Sequence, residues 1–267
     1  MKIAVFQFKS SGNIDENIEA IKRGIKQATE NKVRLLVFHE CATCGYPPIE
    51  TPNVNQINFE HLAKHEQIIK QLANTHNIYI ALGTIREVDN KRYNSTIVID
   101  PNGKVMGTYD KRALWGWDTD NFEKGEDLGI YKIDDLKIGF RICFEVRFPE
   151  YFRELFQAGA DLCITSFYDT SDLDSPARYE MIKAHLITRA VENVMPILSV
   201  NSISRHQTAP TAVFDQNGTI IKVAPKDKEY LLTYDHMPME TDFGAKGRLE
   251  NSHQAISAYK AFLKNNR

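Results

Sequence analysis

The sequence predicts an α/β fold, and three observations carry that prediction. Short apolar runs of strand length alternate with longer stretches in which apolar residues recur every three or four positions. Clusters of Gly, Pro, Asn and Ser separate the two kinds of segment. The reactive side chain types fall where an apolar run stops, which is where an open α/β sheet presents groups to a crevice. At 267 residues with 42% hydrophobic content, the chain is long enough to bury a sizeable core, and Gly 14 with Pro 10 gives no case for disorder or a fibre. A single domain over 1–267 is expected, with 236–267 as a C-terminal wrapping tail.

Taken in order, KIAVFQF reads as a buried strand that turns at Ser10-Ser11-Gly12. Asn13 with Glu16 fits a capping box, and Ile14, Ile18, Ile21, Ile25 and Ala28 then recur at helical spacing through Thr29. Val33 to Phe38 is a second strand ending at His39-Glu40, so Glu40 is either a crevice carboxylate or an ordinary edge charge. Phe59 to Thr75 is an amphipathic helix, Ile78 to Leu82 a strand, and Tyr93 to Asp100 pairs with Lys104 to Tyr109 across the turn Pro101-Asn102-Gly103. That hairpin delivers Lys111, either functional or a solvated charge. Leu114 to Phe122 follows, whose Trp115 and Trp117 make a lid, a pocket wall or plain loop packing.

Leu136 to Ile142 alternates apolar and polar residues, breaks off at Cys143, and gives way from Pro149 to a helix with Tyr151, Phe152, Leu155 and Phe156. A thiol at a strand-to-helix elbow lies near backbone N–H groups without partners, which favour a thiolate and can hold an oxyanion. A cysteine filling the core gives the same pattern. Asp161 to Phe167 is a further strand, Tyr168 to Ser175 a polar loop, and 177–195 a helix with a stripe of Ile182, Leu186, Ala190 and Val194. Strands are expected at Met195 to Val200, Ala212 to Phe214, Thr219 to Val223 and Glu229 to Tyr234. After Asp235 there is little periodicity until Ile256 to Leu263.

Net charge is -2, from 33 basic and 35 acidic residues, so neither nucleic acid nor an anionic membrane is an expected partner. No apolar run reaches membrane-spanning length, MKIAVFQFKSS lacks the apolar centre of a signal peptide, and a cytoplasmic location is the default. The four cysteines are too few and too unevenly placed for a disulfide framework. Cys41 and Cys44 have C-x-x-C spacing, but no complementary metal half lies nearby and Gly45-Tyr46-Pro47-Pro48 blocks the helix a redox pair would open.

Glu40 in LLVFHECATCGYPP, Lys111 in GTYDKRAL and Cys143 in IGFRICFEVRFPE together resemble the nitrilase, or carbon-nitrogen hydrolase, superfamily in its amidase, omega-amidase and N-carbamyl hydrolase-like branch. Asn94, the Arg147-Phe148-Pro149-Glu150 run, Arg189 to Asn193 and Asn201 extend the resemblance over about residues 2–235. It implies a two-sheet α-β-β-α sandwich, a Glu40-Lys111-Cys143 triad, an oxyanion site at the Phe144 backbone N–H, no cofactor or metal, and a homodimer or higher homo-oligomer. The chain departs from the usual pattern at Glu145, where aspartate is frequent, and at Ser204-Arg205-His206. Asp120 falls in register with the family's second glutamate.

The implied reaction is hydrolysis of a small linear amide or N-carbamoyl compound through a cysteine thioester. An omega-amidase acting on dicarboxylate monoamides and a catalytically silent binding module are the alternatives. Trp115 and Tyr168 are expected to wall the pocket. Asp169 and Asp172 would suit a cationic substrate tail, whereas Arg147, with Arg178 and Arg205, would suit a carboxylate.

Overall fold

Two six-stranded sheets lie face to face with helices on both outer sides, an α-β-β-α sandwich. The computed structural model describes residues 1–238 and 240–265. In chain order the elements are β1 (Lys2–Gln7), α1 (Ile14–Glu30), β2 (Leu35–Phe38), α2 (Phe59–His76), β3 (Tyr79–Val88), β4 (Lys91–Ile99), β5 (Val105–Asp110) and α3 (Asp118–Asn121). Then come β6 (Ile130–Ile133), β7 (Leu136–Ile142), α4 (Pro149–Gln157), β8 (Leu162–Phe167), β9 (Thr170–Ser171), α5 (Pro176–Asn193) and β10 (Ile197–Asn201). The chain continues through β11 (His206–Gln207), β12 (Ala212–Phe214), β13 (Ile220–Val223), β14 (Tyr230–Asp235) and α6 (Phe243–Asn265).

The first sheet runs β14-β1-β2-β3-β4-β5 and the second β13-β12-β10-β8-β7-β6. The centre of each is parallel, β1-β2-β3 in one and β7-β8-β10 in the other. Alternation along β1 shows why strands of this kind read as unbroken apolar runs. Ala4 and Phe6 face α1 and α2, while Ile3 and Val5 face Phe140, Ile142, Ile164 and Leu198 of the other sheet. A third cluster packs Phe152, Leu155, Ile182 and Leu186 of α4 and α5 on the outer face of the second sheet.

Asn13 caps α1 as expected, its side chain accepting from the N–H groups of Asp15 and Glu16. The return arm of the capping box is not made, because Glu16 accepts from Ser11 Oγ at 2.9 Å. The buried stripe of α1 includes Ile14, Ile18, Ile21 and Ile25. Each such side chain contributes about 1.5–3 kcal/mol through burial. The expected tail contains a 23-residue helix, α6, lying along α4 across a groove lined by Arg153, Gln157, Ile256 and Tyr259. Its apolar pattern is weak because Phe243 and Tyr259 point largely to solvent. Met239, Asn266 and Arg267 of that tail lie outside the described residues.

This layering brings the C-terminal ends of β2 and β5 from one sheet together with those of β7 and β8 from the other. The residues just after them are Glu40, Lys111, Cys143 and Tyr168.

Candidate active site

Glu40 is 1% exposed, in a tight crossing that needs a glycine opposite it. A Cβ on Gly83 would lie 1.9 Å from the His39 carbonyl oxygen, so β3 passes β2 there only without a side chain. Glu40 Oε1 accepts from Lys111 Nζ at 2.8 Å and Asn94 Nδ2 at 2.7 Å, and Oε2 accepts from the Tyr168 backbone N–H at 2.7 Å. A carboxylate has about four acceptor positions. One on Oε2 therefore remains for a reacting proton.

Lys111, also 1% exposed, is fixed by the end of β5 and by Gly125, whose N–H donates to the Lys111 carbonyl at 3.0 Å. A Cβ on Gly125 would meet the Asp110 carbonyl oxygen at 2.1 Å. Lys111 Nζ gives its second hydrogen bond to Asp118 Oδ2 at 2.7 Å, and Asp118 Oδ1 accepts from Tyr46 Oη at 2.6 Å. An ammonium has three donors. Two are committed to carboxylates, which leaves one for the cavity that Lys111 lines.

Asp118, not Asp120, is thus the second carboxylate at the lysine. Two residues along a helix is a rotation of about 200°. With Asp118 turned into the site at the start of α3, Asp120 is exposed and lines a separate surface depression with Arg92 and Asn121.

Cys143 has φ of +46°, a left-handed conformation costly for any residue with a Cβ. It opens a short 3-10 turn, Cys143–Arg147. Glu145, fully buried, holds this elbow. Its Oε2 accepts from the Ile142 N–H at 2.7 Å, while Oε1 accepts from the Arg112 N–H at 2.7 Å and Tyr109 Oη at 2.8 Å. Glu145 therefore ties the thiol's elbow to the residues flanking Lys111 across the gap between the sheets. Arg189 supports the same turn, donating from Nε to the Val146 carbonyl at 3.0 Å.

Cys143, Lys111, Phe144 and Arg147 line one cavity of about 110 Å3. Tyr46 and Tyr168 stack at 4.9 Å to form one wall, and Trp115, 51% exposed, stands at the rim. Trp117 packs edge-on against Phe122 at 5.6 Å. Asp169 lines the cavity, but its carboxylate is occupied by Arg178 Nε at 2.9 Å and by Thr208 Oγ1. Asp172 is not part of this site. The β9–β11 ribbon turns the loop so that Asp172, 78% exposed, pairs with Arg205 at 2.7 Å in a different groove, and Asp174 pairs with Lys226. Arg147 lies over the Phe144 ring at 5.5 Å and has no carboxylate partner among the described residues.

The carbon-nitrogen hydrolase family model matches residues 2–239. The chain belongs to that family. It is similar to the deaminated glutathione amidase of Dictyostelium discoideum, 28% identical over 78% of this chain and 76% of the relative. It also resembles the 2-oxoglutaramate amidase of Bacillus subtilis, 27% identical over 74% of this chain and 75% of that protein. Among solved structures, a variant of the amidase from Nesterenkonia sp. AN1, carrying the acetamide moiety of fluoroacetamide at its active-site cysteine, superposes with a TM-score of 0.79. It is 21% identical and covers 88% of this chain and 90% of that chain. As a member of that family this protein is a carbon-nitrogen hydrolase of the nitrilase superfamily, and its candidate site brings Glu40, Lys111 and Cys143 together.

Electrostatics in this carbon-nitrogen hydrolase follow from one buried cation between two buried carboxylates. Burial pulls the Lys111 pKa down, but Glu40 and Asp118 outweigh it and hold the ammonium well above its ordinary value. One cation neutralises one carboxylate, so Glu40 rises above the usual carboxylate range, first through burial and further through Asp118, against the pull of Lys111. Burial and then the Glu40 charge push the Cys143 thiol well above its ordinary value. The resting pair is thus a thiol beside a carboxylate of raised basicity. The other three cysteines are buried, Cys41 donating to Asn94 Oδ1 at 3.7 Å and Cys44 and Cys163 both pushed up to about 12 by burial. Cys143 alone of the four opens to the cavity.

Sequence reasoning missed Tyr46 and placed the second carboxylate two residues late. Tyr46 lies six residues past Glu40 in the Gly-Tyr-Pro-Pro turn, and nothing in its spacing distinguishes a site tyrosine from a turn tyrosine.

Proposed function

We propose that this hydrolase cleaves a small linear amide or N-carbamoyl compound, with Cys143 as nucleophile, Glu40 as proton-transfer group and Lys111 as electrostatic stabiliser. The observation that carries the proposal is the small cavity in which the partly exposed thiol and the buried ammonium meet.

Because the thiol rests protonated, attack requires a base, and Glu40 is the acceptor with a free position. The Cys143 proton passes to Glu40 as sulfur bonds the carbonyl carbon and the carbonyl oxygen takes up negative charge. The remaining Lys111 N–H and the Phe144 backbone N–H face that oxygen. One such preorganised donor contributes about 2.7–4 kcal/mol to transition-state stabilisation. The C–N bond then breaks as Glu40 returns its proton to nitrogen, releasing ammonia or an amine and leaving a thioester. Water gives a proton to Glu40 and attacks the thioester carbon. The S–C bond breaks, sulfur regains the proton, and the acid product leaves. Lys111 does not act as the base, since its environment stabilises the ammonium.

A second reading has a specific observation in its favour. Among the described residues Arg147 is the cavity cation without a carboxylate partner, which suits a distal carboxylate as in an omega-amide. The relatives named for 2-oxoglutaramate and deaminated glutathione support this reading. A cationic tail is disfavoured, because Asp169 is already paired with Arg178 and Asp172 faces away.

The test is a release assay for ammonia and acid product over short amides, carbamoyl amines, omega-amides and nitriles. Short amides or carbamoyl compounds are expected to be turned over with the highest kcat/KM. Equal kcat/KM for an amide inside a folded protein contradicts the enclosed cavity. A preference for carboxylate tails that disappears in Arg147→Ala selects the omega-amide reading.

A further inference from the structure

A second cluster of chemistry-bearing side chains lies away from the cavity, where the first turn of α1 meets α2. His61 and His65 are one helical turn apart on α2, so both imidazoles leave the same face. Their Nε2 atoms are 3.2 Å apart, and they lie 2.9 Å and 2.8 Å from the same oxygen, Oδ1 of Asp15 on α1. The rings stand at 90° to one another.

No assignment of protons on neutral imidazoles satisfies all three contacts. If both Nε2 atoms carry hydrogen, two donors face each other at 3.2 Å. If only one does, the other ring directs a lone pair at a carboxylate oxygen less than 3 Å away. A divalent cation takes all three lone pairs at once. For an ion about 2.05 Å from each ligand atom, these separations correspond to ligand–metal–ligand angles of about 86°, 90° and 103°, so the three side chains need to open by only a few tenths of an ångström to reach the tetrahedral arrangement of a three-ligand zinc site completed by water.

We propose that Asp15, His61 and His65 form a zinc-binding clamp between α1 and α2. Two imidazoles and a carboxylate are the donors zinc accepts. Calcium and magnesium prefer oxygen donors throughout, and monovalent copper prefers sulfur. The Asp15 side chain is 66% exposed, so water reaches the remaining coordination positions. His65 Nδ1 is buried without a hydrogen-bond partner among the described residues, and an outer partner for a ligating imidazole is worth about 10–100-fold in affinity. A micromolar site is therefore expected rather than a nanomolar one. The clamp pins the start of α1, just beyond Ser10, whose Oγ lies 3.0 Å from Ser202 Oγ. It takes no part in the thioester chemistry.

The test uses the full chain, stripped with a chelator and titrated with zinc chloride in a calorimeter. One zinc per chain with micromolar Kd is expected. At zinc about 100-fold above Kd, the melting temperature should rise by about 5 °C. His61→Ala and His65→Ala should each weaken binding at least about 10-fold and abolish the thermal shift. Cobalt chloride supplies a readout that needs no variant, a visible d–d spectrum without the near-ultraviolet band of a thiolate ligand. Absence of binding at millimolar zinc, unchanged binding in the double histidine variant, or a thiolate band that assigns the metal to a cysteine would each overturn the proposal.

Discussion

Two groups of charges in this molecule look alike in sequence and differ entirely in the fold. Glu40, Lys111 and Asp118 follow strand ends or open a short helix, are at most 1% exposed, and satisfy one another through hydrogen bonds of 2.7 to 2.8 Å. Asp172 and Arg205 on the polar loops are 78% and 34% exposed. Removing one member of a buried pair leaves an uncompensated charge and costs about 3–5 kcal/mol. An exposed pair contributes about 0–1 kcal/mol. The contrast teaches that acid and base composition does not mark a reactive centre. What marks it is a charge held dry by rigid elements with its partners supplied and one position left open.

The largest effect that would sharpen the contrast is at the thiol. Cys143→Ala should lower kcat on the order of 10⁶-fold with the fold intact by circular dichroism, since removing a nucleophile removes the covalent route. Near-normal turnover in folded Cys143→Ala would break it.

Lys111→Met and Glu40→Gln come next. Loss of the proton-transfer group should cost about 10²–10⁴-fold, and loss of the oxyanion donor about 10²–10³-fold, both in single-turnover thioester formation. Lys111→Met should also lower the melting temperature, because it leaves two buried carboxylates without their cation. If both variants acylate at the wild-type rate, the assigned roles are wrong.

A pH prediction follows at Asp118. The Glu40 pKa is raised, first by burial and then by the Asp118 charge, so the acid limb of kcat/KM should lie above the ordinary carboxylate value of 4.5. Asp118→Asn removes one negative neighbour and should move that limb to lower pH. In the window between the ordinary and raised values the folded state holds the extra proton, so Glu40 favours the folded state less as pH rises through it. An acid limb unmoved in Asp118→Asn would detach Glu40 from the observed titration. At the small end, Asp172→Asn should leave kcat/KM within about twofold and stability within about 1 kcal/mol, as for an exposed pair. A large loss there would return the loop to the site.

Much of this was legible beforehand, for a physical reason. Glu40 and Cys143 each follow a strand that is largely buried on both faces, and such strands announce their ends sharply, whereas Lys111 follows the half-buried edge strand β5 and was singled out by the resemblance. The fate of Glu145 was not legible, because its acceptors collect N–H groups from Ile142 and Arg112, which only the packing of two sheets brings together. Asp118 was missed in favour of Asp120 because a four-residue helix has too few residues to show a face. Asp172 was misplaced because the two-residue ribbon that turns its loop has no pattern to read. Strand β3 was expected to stop at Leu82 and continues to Val88, since its later residues are paired by β4 rather than by apolar burial.

The most direct test of the central claim is acid-quench mass spectrometry during turnover of a short amide, with peptide mapping of all four cysteines. The expected result is a transient acyl mass on Cys143 that rises and decays with ammonia release, and none on Cys41, Cys44 or Cys163. Turnover with no adduct at any quench time and no burst of ammonia, or an adduct confined to another cysteine, would contradict it.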